Sequence, residues 1–259
     1  EVSHLTAISL QSGSNGNCLY LEAGGVRLLV DAGVSGVTAE RRLAERGVDI
    51  RDVDALLVSH DHADHARSVG IFHRKYGHRV HVTGPTLEAA GRRTRLGRLG
   101  PIERFDAGDV IDLGPVRVET VPTPHDGADG VCFVVEHAGT RVGVLTDLGH
   151  VFDGLADLVR GLDGVFLESN FCPEMLARGP YPPFLKRRIA GPGGHLSNGE
   201  AAQLLGGAAA ERLRFACLAH LSEENNTPAR ALAEHDRLAA PSLRLEVASR
   251  YAVSDVFEI

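Results

Sequence analysis

The segment Ser59-His60-Asp61-His62-Ala63-Asp64-His65 sets four candidate metal ligands, His60, His62, Asp64 and His65, within six residues. It directly follows the apolar run Ala55-Leu56-Leu57-Val58, so the spacing predicts a loop at the C-terminal end of a buried strand. In extended chain His60 and His62 point the same way. Asp64 and His65 begin the next helix and can turn toward a second nearby ion. Imidazole with carboxylate suits Zn, Mn or Fe, and mixed His/Asp shells are typical of catalytic sites that keep an open coordination position. One histidine alone would read as a solvated loop residue; this density argues for a site.

The elements that must position these groups follow from the apolar pattern. Runs at 5–10, 17–22, 26–31, 54–59, 79–83, 115–121, 131–136, 141–146, 163–168 and 213–219 are rich in Val, Leu and Ile and predict strands. Helices are predicted over 36–46, 64–76, 85–93, 152–160, 198–206 and 228–238. Gly24-Gly25 and Ala138-Gly139 lie between paired runs as hairpin turns do. Ser197 to Glu200 reads as a capping box, and Thr227-Pro228 as an N-cap followed by proline at the first helical position. Early hairpins followed by strand–helix alternation imply mixed sheets covered by helices, an α/β layered architecture in one domain over 1–259.

Further candidates are Pro122-Thr123-Pro124-His125-Asp126, Leu145-Thr146-Asp147-Leu148-Gly149 and Leu218-Ala219-His220-Leu221-Ser222. Taken singly, His125 fits a turn between prolines, Asp147 a cap for the helix 152–160, and His220 a buried core histidine. Together they resemble the ordered motifs of the metallo-β-lactamase fold superfamily, whose signature is HxHxDH. That resemblance implies an αββα sandwich of two mixed β-sheets flanked by helices. It makes His60, His62 and His125 ligands of one ion and Asp64, His65 and His220 ligands of another, with Asp147 bridging the two. Asp31 in Val30-Asp31-Ala32-Gly33 matches the first motif, where the aspartate supports the metal loop.

Ser12-Gly13-Ser14-Asn15-Gly16-Asn17, Leu167-Glu168-Ser169-Asn170, Gly194-His195-Leu196-Ser197-Asn198 and Ala219 to Asn226 together resemble the WalJ/YycJ group of this superfamily. The resemblance implies 5′-to-3′ exonuclease action on double-stranded DNA. No β-CASP insertion or long RNA-binding arm is visible. Gly194-His195 also resembles the tRNA 3′-processing ribonucleases, where a histidine paired with an upstream glutamate moves a proton at the scissile phosphate. Glu168 occupies the place of that glutamate, although Leu167 stands where those enzymes carry a histidine; Glu168 alone would read as a solvated strand-end carboxylate. Two divalent ions, Zn or Mn with iron a lesser candidate, lower the pKa of bound water from about 16 to about 7 and draw charge from phosphate oxygens. Asp64 is the candidate to orient the nucleophile and take its proton, and His195 to protonate the leaving oxygen, since histidine titrates near neutrality. Ser14, Asn17 and Asn170 are candidate substrate-binding donors. The competing readings on the same ligand set are a small-molecule cyclic phosphodiesterase, a thiolester or lactam hydrolase, and an iron-dependent dioxygenase or diiron protein.

Composition bounds the rest. The 259 residues carry 27 basic and 34 acidic side chains, a net −7 that argues against a generic polyanion binder. The average hides a segment, 71–104, with a net +6 inside a remainder of −13, and Lys186-Arg187-Arg188 forms a second basic cluster. Either could contact phosphates or simply be a solvated arginine-rich face. No tryptophan and 5% aromatic residues argue against broad base-stacking platforms. Four widely spaced cysteines without a CxxC pair fit a reducing cytoplasm. No run reaches the roughly 18–20 apolar residues of a membrane span. The start at Glu1, without initiator methionine or the basic and apolar regions of a secretory signal, reads as a trimmed chain. The expected partner is a phosphodiester substrate, DNA foremost, and nothing in the sequence fixes an oligomeric state.

Overall fold

The computed structural model describes residues 4–208, 212–238 and 243–259. The first sheet begins with β1 (Leu5–Gln11), β2 (Cys18–Ala23) and β3 (Val26–Val30), joined antiparallel. Gly24 and Gly25, with φ of 55° and 79°, close the tight turn between β2 and β3, as a hairpin of this hand requires. After α1 (Gly36–Ala44), the strands β4 (Ala55–Leu57), β5 (Arg79–Thr83) and β6 (Glu103–Phe105) add in parallel. Between β4 and β5 lie α2 (Ala63–Ala66) and α3 (Val69–Ile71), and α4 (Gly84–Arg93) follows β5.

The second half repeats this plan. β7 (Val110–Leu113), β8 (Val116–Pro122), β9 (Val131–His137) and β10 (Thr140–Leu145) pair antiparallel. β11 (Gly164–Glu168), β12 (Phe215–Ala219) and β13 (Arg244–Val247) then extend the sheet in parallel. Its helices are α5 (Leu155–Arg160), α6 (Pro173–Arg178), α7 (Pro183–Ile189), α8 (Asn198–Ala208) and α9 (Pro228–His235). The last strand, β14 (Phe257–Glu258), returns to pair with β1. The result is two seven-stranded mixed sheets in the orders β14-β1-β2-β3-β4-β5-β6 and β13-β12-β11-β10-β9-β8-β7.

The sheets face each other across an apolar layer that includes Leu5, Leu28, Leu57, Phe133 and Phe166. Phe257 of the first sheet stacks on Phe215 of the second at 4.4 Å and meets Phe166 edge-on at 5.4 Å. The outer face of the first sheet packs under α1 and the α2–α3 region through Leu43, Leu56 and Phe72. That of the second packs under α5, α8 and α9 through Val159, Leu205 and Ala231. This is the layered sandwich expected from the sequence.

All ten expected strands form, with ends shifted by at most two residues. The expected capping box closes reciprocally: Ser197 N–H donates to Glu200 Oε2 at 2.9 Å, and Glu200 N–H to Ser197 Oγ at 3.3 Å. Thr227 caps α9 as expected. The single helix expected over 64–76 is broken instead into α2, α3 and a wide turn over Phe72–Tyr76. The break falls at Ser68, whose N–H is drawn to Ala32 O on the strand-end loop next door at 2.9 Å. α7 forms the apolar, basic helix-like piece expected within 179–194, whereas β6, β7, β13, β14 and α6 lie outside the expected elements. β6, β7 and β13 carry exposed charged residues such as Glu103, Arg104, Asp112 and Arg244, so the apolar alternation that marks a strand is diluted there.

Candidate metal centre and active site

Every candidate ligand stands at or just past the C-terminal end of a strand, on the rim where the two sheets meet. After β4 the chain runs extended through His62, the N-cap of α2 at φ −64° and ψ 146°, and this sets the His60 and His62 rings 4.7 Å apart. Asp64 and His65 occupy the first turn of α2. His125 follows β8, Asp147 follows β10, Glu168 ends β11 and His220 follows β12. Asp31, Asp147 and His220 adopt left-handed backbone at φ 65°, 57° and 54°. Only two other described non-glycine residues do so, Asp129 and Ala138, and such backbone persists where surrounding structure enforces it. In each case it turns a strand end sharply, bringing the Asp147 and His220 side chains into the cleft and the Asp31 carboxylate behind His65.

The donor atoms form overlapping clusters: His60, His62 and His125; Asp64, His65 and His220; and His60, His65 and Asp147. Asp147 lies between them, with Oδ1 3.6 Å from both His125 Nε2 and His220 Nε2 and Oδ2 3.2 Å from His65 Nε2. A fourth cluster joins Asp147, Glu168, His195 and His220.

The second layer of partners fixes which ring nitrogens are free. Asp31 accepts from Ser59 N–H at 2.8 Å, from Ser59 Oγ–H at 2.9 Å and from His65 Nδ1–H at 2.7 Å. Ser59 Oγ, its proton given to Asp31, accepts from His60 Nδ1–H at 3.0 Å. Gly194 O accepts from His125 Nδ1–H at 2.7 Å. These Nδ1 contacts turn the Nε2 atoms of His60, His65 and His125 toward the cleft, which is how carboxylate or carbonyl partners orient metal-binding imidazoles. The expected supporting role of Asp31 matches this geometry. Gly33 completes the arrangement: a Cβ there would meet Asp64 O at 1.6 Å, so only glycine lets the β3 loop approach the α2 backbone.

The donors fit divalent cations. His60 Nε2 and Asp147 Oδ2 are buried without a hydrogen-bond partner, an arrangement that is costly unless a cation takes the lone pairs. Burial, reinforced by His65, holds the His60 imidazole well below its ordinary pKa, and burial brings His62 down to about 4, so both rings offer neutral nitrogens. Burial alone would favour the protonated form of Asp147, yet His220 and His65 hold it well below the carboxylate range. Burial alone would likewise lower His220, but Asp147 and Asp64 raise it to about 10; Asp147 and Asp31 raise His65 in the same way. In the absence of metal, protons on these rings offset the carboxylate charge that divalent ions would neutralise.

His195 and Glu168 come together as expected. Glu168 is fully buried; Oε1 accepts from His195 Nδ1–H at 2.6 Å, and Oε2 accepts from Leu148 N–H at 3.0 Å and Leu196 N–H at 3.3 Å. Burial favours its neutral form, but His195 outweighs this and holds the carboxyl below its usual range. A solvated strand-end carboxylate is thereby excluded. His195, His62, Asp64, His220 and Asp147 line a cleft of about 310 Å³.

The candidate substrate-binding residues separate. Ser14 is exposed and lines the cleft, and Asn170 lines it while donating to His220 O at 2.7 Å. Asn17 is buried, and its side chain is occupied by Gly13 N–H, Gly13 O and Asp64 O at 2.8–3.3 Å and by His65 Nε2 at 2.9 Å. It ties the 12–17 loop to the ligand loop rather than facing substrate. The Gly194–Asn198 and Leu221–Asn226 segments are explained by one buried network. Ser169 Oγ–H donates to Asn198 Oδ1 at 2.8 Å, Asn198 Nδ2 donates to Asn226 Oδ1 at 2.9 Å, and Asn226 Nδ2 donates back to the Ser169 and Asn170 carbonyls. This locks the strand ends bearing Glu168 and His220 to the start of α8.

The two basic segments differ in place. Within 71–104, Arg93 pairs with Asp61, Lys75 with Glu40 and Arg92 with Glu88, while Arg74 donates to Leu96 O and Arg98 O. None of this segment lines the cleft. Arg188 does, held by Asp126 through two hydrogen bonds of 2.6 and 2.9 Å, a contact the sequence analysis missed because its partners lie 62 residues apart.

With this geometry in view, relatives can be weighed. The sequence profile of the Beta-lactamase superfamily domain matches residues 26–217. The chain belongs to the beta-lactamase superfamily. Within the superfamily it is 32% identical over 252 residues to exodeoxyribonuclease YycJ of Bacillus anthracis, an alignment covering 96% of this chain and 92% of the relative. It is 36% identical over 219 residues to exodeoxyribonuclease WalJ of Streptococcus pneumoniae, covering 84% and 81%. The fold is that of the superfamily protein YhfI from Bacillus subtilis, with a TM-score of 0.75 at 16% identity over 99% and 100% of the two chains. The chain is thus a metal-dependent hydrolase of the superfamily. Among the described residues no helix is long and apolar enough to cross a membrane.

Proposed function

We propose that this chain is a dinuclear metal-dependent nuclease that degrades double-stranded DNA as a 5′-to-3′ exonuclease. Relatives bearing the exodeoxyribonuclease name across most of their length support the substrate class. The observation that carries the chemistry is the His195–Glu168 pair, 2.6 Å apart, with His195 opening onto the same cleft as His62, Asp64, Asp147 and His220.

In this reading His60, His62 and His125 hold one ion, Asp64, His65 and His220 hold a second, and Asp147 serves both. The ions are Zn or Mn; imidazole–carboxylate donors accept either. When bound, they supply an activated water at neutral pH and offset charge on the phosphate. Asp64, one-fifth exposed in the cleft, would orient the attacking water and accept its proton. Glu168 fixes His195 through Nδ1–H, so that Nε2 carries the transferable proton to the departing oxygen. Ser14 and Asn170 line the substrate's path. Phosphodiester cleavage needs such a donor for the leaving alkoxide, and this favours it over thiolester hydrolysis, whose thiolate departs without a proton. We place the protein in the cytoplasm, where its four free thiols, three of them buried, stay reduced.

Purified protein with Mn²⁺ or Zn²⁺ and matched single- and double-stranded substrates, labelled at either end, tests this directly. Label release from duplex 5′ ends is the expected result. Hydrolysis of bis(p-nitrophenyl) phosphate with no products from any nucleic acid would leave a small-molecule phosphodiesterase in its place.

A further inference from the structure

An exposed aromatic ring offers a stacking surface for a nucleic-acid base. The chain has 13 Phe and Tyr residues, and two are exposed: Phe184 at 66% and Tyr251 at 69%. Phe184 stands on α7, whose Leu185, Arg188 and Ile189 line the cleft, and Tyr251 lines a neighbouring cavity. Tyr251 closes a cavity of about 300 Å³ that shares Ser222 with the cleft. Its hydroxyl donates to Glu223 Oε1 at 2.6 Å, and a carboxylate at that position repels a phosphate.

Phe184 lies on the opposite kind of surface. On α7 the exposed residues Phe184, Arg187 and Arg188 recur at i, i+3 and i+4, which makes one face. Ile189 turns inward and packs with Phe171 and Leu176. Arg188 reaches the cleft, where two of its five N–H donors go to Asp126 and the rest are free for a ligand. Arg187 makes no ion pair among the described residues. The other eight phenylalanines are buried or partly buried, so leaving this ring in water forgoes burial that the chain otherwise obtains.

We infer that the Phe184–Arg187–Arg188 face of α7 is the strand-binding wall of the active site: the phenyl ring stacks on a DNA base beside the scissile diester, and the guanidinium groups take the flanking phosphates. The inference rests on the DNA exonuclease reading and names the surface that would make the activity polymer-specific. Stacking on one or two rings suits a chain without broad aromatic platforms. Continuity with the cleft and charge complementarity with phosphate select a nucleic-acid strand as occupant.

The test compares kcat/KM on an end-labelled duplex with that on bis(p-nitrophenyl) phosphate, which carries no nucleic-acid base and no flanking phosphate. F184A and F184L should lower kcat/KM on duplex by about 5- to 150-fold, the range of one lost stacking contact, while F184Y stays within a few-fold of wild type. The ratio of duplex to small-diester activity should fall at least fivefold. R187A should reduce the slope of log K against log salt for duplex binding by about one. Equal behaviour of F184L and F184Y, or parallel losses on both substrates, would overturn the inference. So would a change in sedimentation on F184A, which would assign the ring to a protein interface. Intact duplex cleavage by F184A overturns this inference alone, whereas a wild type active on the small diester but inert toward DNA overturns the exonuclease reading with it.

Discussion

Glu168→Gln isolates the proton-transfer role with the smallest change in shape. Glu168 accepts on one oxygen from His195 Nδ1–H and on the other from two backbone N–H groups, Leu148 and Leu196. A glutamine has one carbonyl oxygen to offer. If it faces His195, the amide NH2 abuts two buried donors that lose their acceptor, at about 1–3 kcal/mol each. If it faces the backbone, NH2 meets His195 Nδ1, which must then give up its proton and place it on the other nitrogen. The first orientation should cost about 2–6 kcal/mol of stability, and in both the variant should remain folded, with two metal ions per chain by elemental analysis. Its kcat on duplex DNA, whose leaving alkoxide needs protonation, should fall about 10²- to 10⁴-fold. On bis(p-nitrophenyl) phosphate, whose leaving group departs without a proton, the loss should be tenfold or less. Equal losses on the two substrates would refute the leaving-group role of the pair, and loss of metal would make Glu168 a support of the ligand shell instead.

Asp147→Ala or His62→Ala should abolish hydrolysis and lower metal stoichiometry while far-UV circular dichroism is retained; activity surviving either change counts against the ligand assignment. Gly33→Ala forces the Asp64 carbonyl away from a contact of 1.6 Å, so it should cost 3 kcal/mol or more, about 6–12 °C in Tm, and a scanning-calorimetry shift under 2 °C would contradict the packing argument. His235 is fully buried with no partner on Nδ1, and burial holds its pKa at about 4 against an ordinary 6.5. Because the folded value lies below the unfolded one, stability is whole above pH 6.5 and should fall by about 3 kcal/mol as pH drops toward 4. His235→Gln should flatten that part of the urea-midpoint profile, and identical profiles for the two proteins would place the acid-labile group elsewhere.

The ligand set was legible because its chemistry is local: His60, His62, Asp64 and His65 fall in one loop, and a buried apolar run before them fixes that loop at a strand end. His125, Asp147 and His220 could each be read another way in isolation, and became ligand candidates only through their ordered resemblance to a known pattern. The broken helix after His65 was not legible. Its periodicity is intact, and the break comes from a hydrogen bond between Ser68 N–H and Ala32 O, two segments the sequence does not connect.

The roles of the remaining polar residues divide along the same line. Asn17 and Asn170 look alike in sequence, two asparagines near candidate motifs, yet one is tied up within the loop and the other lines the cleft. Of the two basic segments, the more highly charged one spends Lys75 and several of its arginines on internal partners, and the short 186–188 cluster reaches the site through Arg188. Residue type and short-range spacing determined which groups can bind metal, because coordination depends on ligand chemistry and on a few residues of extended or helical chain. Which ring nitrogen is free, which carboxylate is shared and which cation faces substrate depended on contacts spanning tens to hundreds of residues, and those exist only once the two sheets have closed on each other.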